Sequence, residues 1–264
     1  MTTRPIITLL SDFGTRDPYV AAMKGVILSI QPEAILVDLT HEVPPQDIVA
    51  GAFLLAGAAP FFPPRTIHLA VVDPGVGTQR RALVAKARGQ FWVGPDNGLF
   101  HLVFLESSAP DIVSLENPHY FRESVSLTFH GRDIFAPVAA YLSHGTPLDA
   151  FGSPLSDPVA LPWPQSTYTP EAVRGEIVYV DGFGNLVSNI RGSDLMAWLG
   201  QGTYAVILGS LTLKGLTRTY GDAAPKEFLA LVGSHGYLEI ACAQGNAARR
   251  LGMGKGRSLA VVRA

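Results

Sequence analysis

The chain is short of cysteine and of charge, and each shortage narrows what it can be. Cys242 is the single cysteine in 264 residues, so no internal disulfide can form, and a reducing compartment fits. Charged residues make up only 16% against 47% hydrophobic, a balance that excludes intrinsic disorder. Neither sign of charge prevails: 20 basic residues face 22 acidic ones, a formal charge of −2. That leaves no electrostatic footprint for nucleic acid and no polybasic patch for a membrane. Long hydrophobic runs are missing too. The most apolar stretch, Ala50–Phe62, is broken by Pro60 and is too short to span a bilayer. Met1–Leu10 has one Arg and no small-residue cleavage site, and reads as a first strand rather than a signal peptide. A cytoplasmic location is expected. A chain of this length can bury a sizeable core without disulfides or structural metal.

What is present changes character part-way along. Pro5–Leu10, Ala34–Leu39 and Thr66–Val72 are apolar runs that read as buried strands. Between them, Pro18–Ile30 places Val20, Met23, Ile27 and Ile30 at helical spacing, and Asp47–Ala56 is a second apolar helix. Arg81–Ala85 and Gln90–Val93 read as further strands, and Asp133–Leu142 as a helix. Strands of this kind separated by helices imply an α/β domain with a mainly parallel sheet between helices. A proline-rich stretch follows, and residues 158–173 are expected to link domain 1–157 to domain 174–264. In the second domain Glu176–Val180, Leu186–Ile190, Tyr204–Leu208, Phe228–Val232, Tyr237–Ala241 and Ser258–Val262 are short strands bounded by Gly, Asn or Asp. Only Asp194–Leu199 reads as helix. A small all-β barrel is expected.

Ligands of an open parallel sheet bind beyond the carboxyl ends of its strands. Asp12, Asp38 and Asp73 lie at those ends, where capping a turn is the competing explanation for any one of them. The loop from Asp73 to Arg81 carries Gly75 and Gly77, which let backbone approach a ligand, and is opened by an acid and closed by bases. It lacks the Gly-Lys-Ser/Thr ending of a phosphate-binding loop. His130 precedes a helix within Phe129–Asp133. Asp12-Phe13-Gly14 and Gly131-Arg132-Asp133 look superficially like kinase motifs, but their order is reversed. Asp38, His41, Glu42 and Asp47 match no standard metal-ligand spacing, so no metal is expected. Asp181–Asn185, Gly233–Tyr237 and Gly245–Ala248 each read alone as turns or junctions.

Taken in order, these clusters resemble one family, the S-adenosyl-L-methionine (SAM) hydrolases, or hydroxide adenosyltransferases, with their halogenating relatives, the fluorinase and chlorinase. The resemblance runs from Ser11–Gly14 and Met23–Gly25 through Asp73–Thr78, Gly94–Gly98 and His130–Asp133 to Asp181–Asn185, Ser234–Glu239 and Gly245–Ala248. It implies an N-terminal α/β domain and a C-terminal β-barrel. It also implies a homotrimer that binds SAM between one subunit's N-domain and a neighbour's C-domain. By resemblance, Asp73, Arg80 and His130 match the catalytic trio of the hydrolase branch, where the halogenating branch has uncharged groups. Asp12 matches the acid on the ribose hydroxyls. Phe183 and Asn185 match residues around the adenine, and Asp181, Ser234 and Glu239 match positions near the methionine part. Gln46 stands where the family often has an aromatic, and His235 where the fluorinase has an Arg.

The activity this implies is hydrolysis of SAM to adenosine and L-methionine by water attacking the ribose C5′. Hydroxide meeting a sulfonium cancels charge in the transition state, which a dry, low-dielectric pocket favours. Arg80 is expected to hold the water, and Asp73 or His130 to take its proton. No metal or redox cofactor is implied, because the substrate carries its own leaving group. The alternatives are a halide-using adenosyltransferase and a non-catalytic sensor of SAM or adenosine.

Overall fold

A computed structural model describes residues 4–200 and 202–263. The ends of the expected domains, residues 1–3 and 264, lie outside the described residues, as does the start of the Met1–Leu10 strand. The chain divides into two compact units, one ending at Leu161 and the other beginning at Pro162.

The first unit is built on a six-stranded sheet. In chain order its elements are β1 (Ile6–Ser11), α1 (Tyr19–Ile30), β2 (Ile35–Thr40), α2 (Ile48–Ala58), β3 (Ile67–Val71), β4 (Ala82–Ala87), β5 (Gln90–Pro95), α3 (His101–Leu105), β6 (Asp111–Ser114) and α4 (Ala136–Ser143). The strand order is β2-β1-β3-β5-β4-β6. β1 pairs parallel with β2 and β3, and β3 with β5, whereas β4 runs antiparallel to both β5 and β6. The hairpin from β4 to β5 needs only Arg88 and Gly89 as its turn, which forces the antiparallel edge.

Alternation along the strands explains the layers. Ile7 and Leu9 of β1 and Ile67, Leu69 and Val71 of β3 join Met23 and Ile27 of α1 and Val138, Ala139 and Leu142 of α4 in one core. Each such side chain withdrawn from water contributes roughly 1.5–3 kcal/mol, so Leu9→Ala would cost about 2–5 kcal/mol. The opposite face carries Thr8, His68 and Trp92, all fully buried. His68 stacks on Trp92 with ring centroids 4.4 Å apart, and Thr8 Oγ1 lies 2.7 Å from His68 Nδ1. The Gln90 amide donates to the carbonyls of Ala59 and Phe62, tying the end of α2 to this face. Asp47 starts α2 by accepting from the Ala50 amide at 3.0 Å.

The expected helix at 133–142 begins differently. Gly131–Phe135 form a π-turn before α4 continues from Ala136. Pro137 supplies no N–H, so the α-helical ladder cannot be extended regularly through this point.

The second unit contains β7 (Thr167–Tyr168), β8 (Ala172–Val180), β9 (Leu186–Arg191), α5 (Gly192–Leu199), β10 (Tyr204–Leu208), β11 (Leu211–Lys214), β12 (Phe228–Val232), β13 (Tyr237–Cys242), α6 (Ala247–Leu251) and β14 (Ser258–Arg263). The strands are antiparallel in the order β11-β10-β14-β8-β9-β13-β12, with β7 beside β8. Among the described residues eight strands stand where six were expected. β7 has two residues and β11 four, too short to carry an alternating pattern. The path closes nearly into a barrel: just past β11, the Thr217 amide donates to Ala230 of β12 at 2.8 Å. Val173, Ile177, Leu186, Ile190, Leu238, Ile240 and Val261 fill its interior.

Candidate active site

At the carboxyl edge of the first sheet, β3 ends at Val71 and runs into Asp73, while β1 beside it ends at Ser11 and runs into Asp12. The loop after β3 folds back so that Arg80 meets Asp73. Arg80 Nε donates to both carboxylate oxygens of Asp73 at 2.9 and 3.0 Å, and Nη2 donates to Oδ2 at 2.5 Å. The two side chains are 4% and 11% exposed, Asp73 the lower. So dry an ion pair holds only because its geometry is close and the charges are mutually satisfied.

Gly77 permits this loop. Its φ is +76°, and a Cβ there would overlap the Leu127 carbonyl oxygen. The segment before His130 therefore packs directly on the loop carrying Arg80. Its path is set by Asp133, whose fully buried carboxylate accepts from Arg122, from Arg132 and from the Ser126 amide. Burial presses the Asp133 carboxyl toward neutrality. The hydrogen bonds from Arg132, Ser126 and Arg122 outweigh it and hold the pKa below the ordinary value.

His130 completes the trio. Arg80 Nη2 lies 2.9 Å from His130 Nδ1. A guanidinium only donates, so Nδ1 accepts and the ring's proton sits on Nε2. Burial lowers the His130 pKa first and the Arg80 charge lowers it further, against smaller opposing pulls from Asp73 and Asp133. Electrostatics and hydrogen bonding thus agree on a neutral imidazole. The Arg80 guanidinium also lies over the Phe135 ring, 5.3 Å from its centroid. Its Nη1 reaches the Arg81 carbonyl at 3.4 Å. Among the described residues one N–H on Nη1 therefore remains for a ligand.

Asp12 stands at the same sheet edge. Its Oδ2 accepts from the Gln46 amide at 2.8 Å. The neighbouring Phe13 ring approaches Gly131 and packs edge-on to Phe129 with centroids 5.8 Å apart. The Asp12 and His130 segments are therefore adjacent. Asp38, by contrast, lies within β2 opposite Leu9 rather than past the strand end. It accepts from Lys24 at 2.6 Å and from His41 at 3.0 Å. Burial works against its charge, but these partners keep its carboxyl below the ordinary range.

The second unit carries the other set of residues. Asp181 shapes the turn from β8 to β9: Oδ1 accepts from the Phe183 and Asn185 amides, and Oδ2 from the Asn185 side chain. Gly184, at φ +85°, presses so closely on Asn246 that a Cβ would overlap it. This turn leaves the Phe183 ring 80% exposed and Asn185 buried. Glu239 on β13 is buried and accepts from Tyr220 Oη at 2.6 Å and His235 Nε2 at 2.7 Å. Ser234 is exposed in the turn from β12 to β13. Sequence reading missed Tyr220. Burial first, then its bond to Glu239, pushes its hydroxyl pKa well up. It lies 19 positions from Glu239, in a segment with no motif, and no local signal could have found it.

Two family profiles match this chain: the SAM hydroxide adenosyltransferase N-terminal domain over residues 7–152, and the C-terminal domain of the same family over residues 175–260. The chain belongs to the SAM hydroxide adenosyltransferase family. It is 40% identical to an (R)-S-adenosyl-L-methionine hydrolase of Salinispora tropica, over 99% of each chain. It is 38% identical to an enzyme of the same description from Thermus thermophilus, over 96% of this chain and 97% of that one. A fluorinase of Actinoplanes is 32% identical over 90% of each. Among solved structures, an uncharacterised conserved protein from Thermotoga maritima superimposes with a TM-score of 0.92 at 37% identity, covering 97% of this chain and all of that one. The family's members thus include hydrolases and fluorinases. No described helix is long and apolar enough to cross a membrane.

Proposed function

We propose that this family member hydrolyses SAM to adenosine and L-methionine by in-line attack of water on the ribose C5′. The observation that carries the reading is the arrangement of Arg80, clamped by Asp73 and donating to His130 Nδ1. The remaining Nη1 hydrogen of Arg80 holds the water and stabilises its developing negative charge. His130, with its proton on Nε2, is a donor and not a base. Asp73, whose oxygens retain lone pairs, takes the proton. The water oxygen bonds to C5′, the C5′–S bond breaks, and its electron pair stays on sulfur as a neutral thioether. General-base help of this kind gives about 10²–10⁴-fold, and alignment of water, C5′ and sulfur gives a further large share.

In this reading Asp12 binds the ribose hydroxyls and Phe183 and Asn185 border the adenine. Asp181, Ser234 and Glu239 serve the methionine part. The reading includes a cytoplasmic homotrimer with binding sites at subunit interfaces, and light scattering that returned a monomer's mass would remove that part. Chromatography of purified protein incubated with SAM tests the activity. Adenosine and methionine released in equal amounts support it, and intact SAM overturns it. The fluorinase relatives motivate a second reading, halide transfer to the same carbon. The Asp73–Arg80 ion pair beside His130 leaves a halide no uncharged pocket, so a 5′-halo-adenosine is not expected in chloride or fluoride. A sensor would bind SAM without turnover.

A further inference from the structure

One chain of hydrogen bonds lies outside the catalytic trio, buried at Ser11 and His41 and open to solvent at Asp38 and Lys24. Ser11 is fully buried and His41 nearly so. Ser11 Oγ lies 2.7 Å from His41 Nδ1, and His41 Nε2 lies 3.0 Å from Asp38 Oδ1. Asp38 Oδ2 accepts from Lys24 Nζ at 2.6 Å. The carboxylate needs a donor, so His41 Nε2 carries a proton. Nδ1 is then the acceptor for the Ser11 hydroxyl, which has no other acceptor among the described residues. Ser11 Oγ in turn accepts from the Phe13 amide at 3.4 Å. Each link from Lys24 to the Phe13 backbone has one donor and one acceptor.

A Ser–His–Asp string invites comparison with a nucleophilic triad. Burial of Ser11 rules that out, because no substrate carbon could reach its hydroxyl. The string ends on the peptide that follows Asp12. Backbone bonds reinforce the same junction: Gly14 donates to the His41 carbonyl at 2.7 Å, and Val43 to the Ser11 carbonyl at 3.3 Å. Asp12 Oδ2 itself closes the junction on Gln46, a residue held at φ 65°. Segments 11–14 and 41–46 are thus sewn together on both sides of the Asp12 carboxylate, and His41 contributes both its ring and its carbonyl.

We infer that His41, acting through Ser11, is a positioning residue that aims the Asp12 carboxylate at the two ribose hydroxyls. This rests on the proposed function, in which Asp12 meets the ribose. Hydrogen-bonded sites discriminate strongly against ligands lacking the matching hydroxyl. Loss of aim therefore weakens binding of a ribose more than of its dideoxy counterpart.

The test measures affinity for adenosine and for 2′,3′-dideoxyadenosine by calorimetry, on the full chain. Wild type should prefer adenosine, and absence of that preference would overturn both the ribose assignment and this inference. Ser11→Ala, the mildest change, should shrink the preference about 3-fold, and His41→Leu about 10-fold. Both ligands see the same folded fraction, so partial unfolding cancels in the ratio. In an Asp12→Asn background, His41→Leu should change the ratio no further, as expected for residues acting through one another. Wild-type preference retained in both single variants would overturn the inference while leaving the proposed function standing. So would an equal loss with and without Asp12.

Discussion

Arg80 donates to His130 Nδ1 at 2.9 Å while the same nitrogen donates to Asp73 at 2.5 Å. One guanidinium nitrogen thereby sets the protonation of an imidazole and the orientation of a carboxylate. A lysine's single nitrogen could reach both partners but could not also grip Asp73 with a planar fork and present a third nitrogen to the water. Arg80→Lys should therefore lower kcat about 10²-fold or more, and Asp73→Asn should lose about 10²–10⁴-fold. Full activity in Asp73→Asn would remove it as the proton acceptor.

The neutral state of His130 makes activity depend on pH in a defined direction. Its pKa is depressed from 6.5, by burial first and by Arg80 second. The neutral form persists above the depressed value and is lost as pH falls through it, breaking the bond from Arg80. The acid limb of kcat/KM should lie below 6.5. Asp133 pulls that value upward, so Asp133→Asn should move the limb further toward acid. A limb above 6.5 would contradict the assignment.

Gly77 offers a stability test coupled to the site. Its positive φ and the Leu127 carbonyl oxygen, which occupies the space a methyl group would need, leave an alanine no room without moving backbone. Gly77→Ala should cost about 1–3 kcal/mol in urea unfolding and lower kcat, because Arg80 shares the loop. Unchanged stability and activity would show that the loop adapts freely.

His68 should make the fold labile to acid. Burial lowers its pKa to about 4, with Gln90 opposing weakly. The unfolded chain binds the proton first, so this stability is fully present above the unfolded value of 6.5. It drains away as pH falls toward 4. The whole span is about 3 kcal/mol. Melts between pH 7 and 4.5 should show the loss, and His68→Gln should flatten the curve over that window.

The sequence made some parts of this molecule readable and hid others. Ile7, Leu9, Ile67 and Leu69 sit in mainly apolar runs, each interrupted by one polar residue, so the central strands and their parallel pairing were legible. Acids placed after such runs pointed to the sheet edge where Asp12 and Asp73 stand. β7, β11 and α3 were not legible, being too short to repeat a period. The π-turn at Gly131–Phe135 was hidden because a helix and a π-bulge share one apolar pattern. Asp38 and His41 resembled a possible ligand set. Their partners, Lys24 and Ser11, come from other elements, and no spacing rule links them. The tautomer that leaves the His130 proton on Nε2 required the distance to Arg80, 50 positions away.

The central claim is that water attacks a ribose carbon beside Arg80. Incubating the protein and SAM in water labelled with heavy oxygen, then weighing the adenosine by mass spectrometry, tests it directly. The account predicts one labelled oxygen in the adenosine 5′-hydroxyl and unlabelled methionine in equal amount. Label in methionine, unlabelled adenosine or undiminished SAM would contradict it.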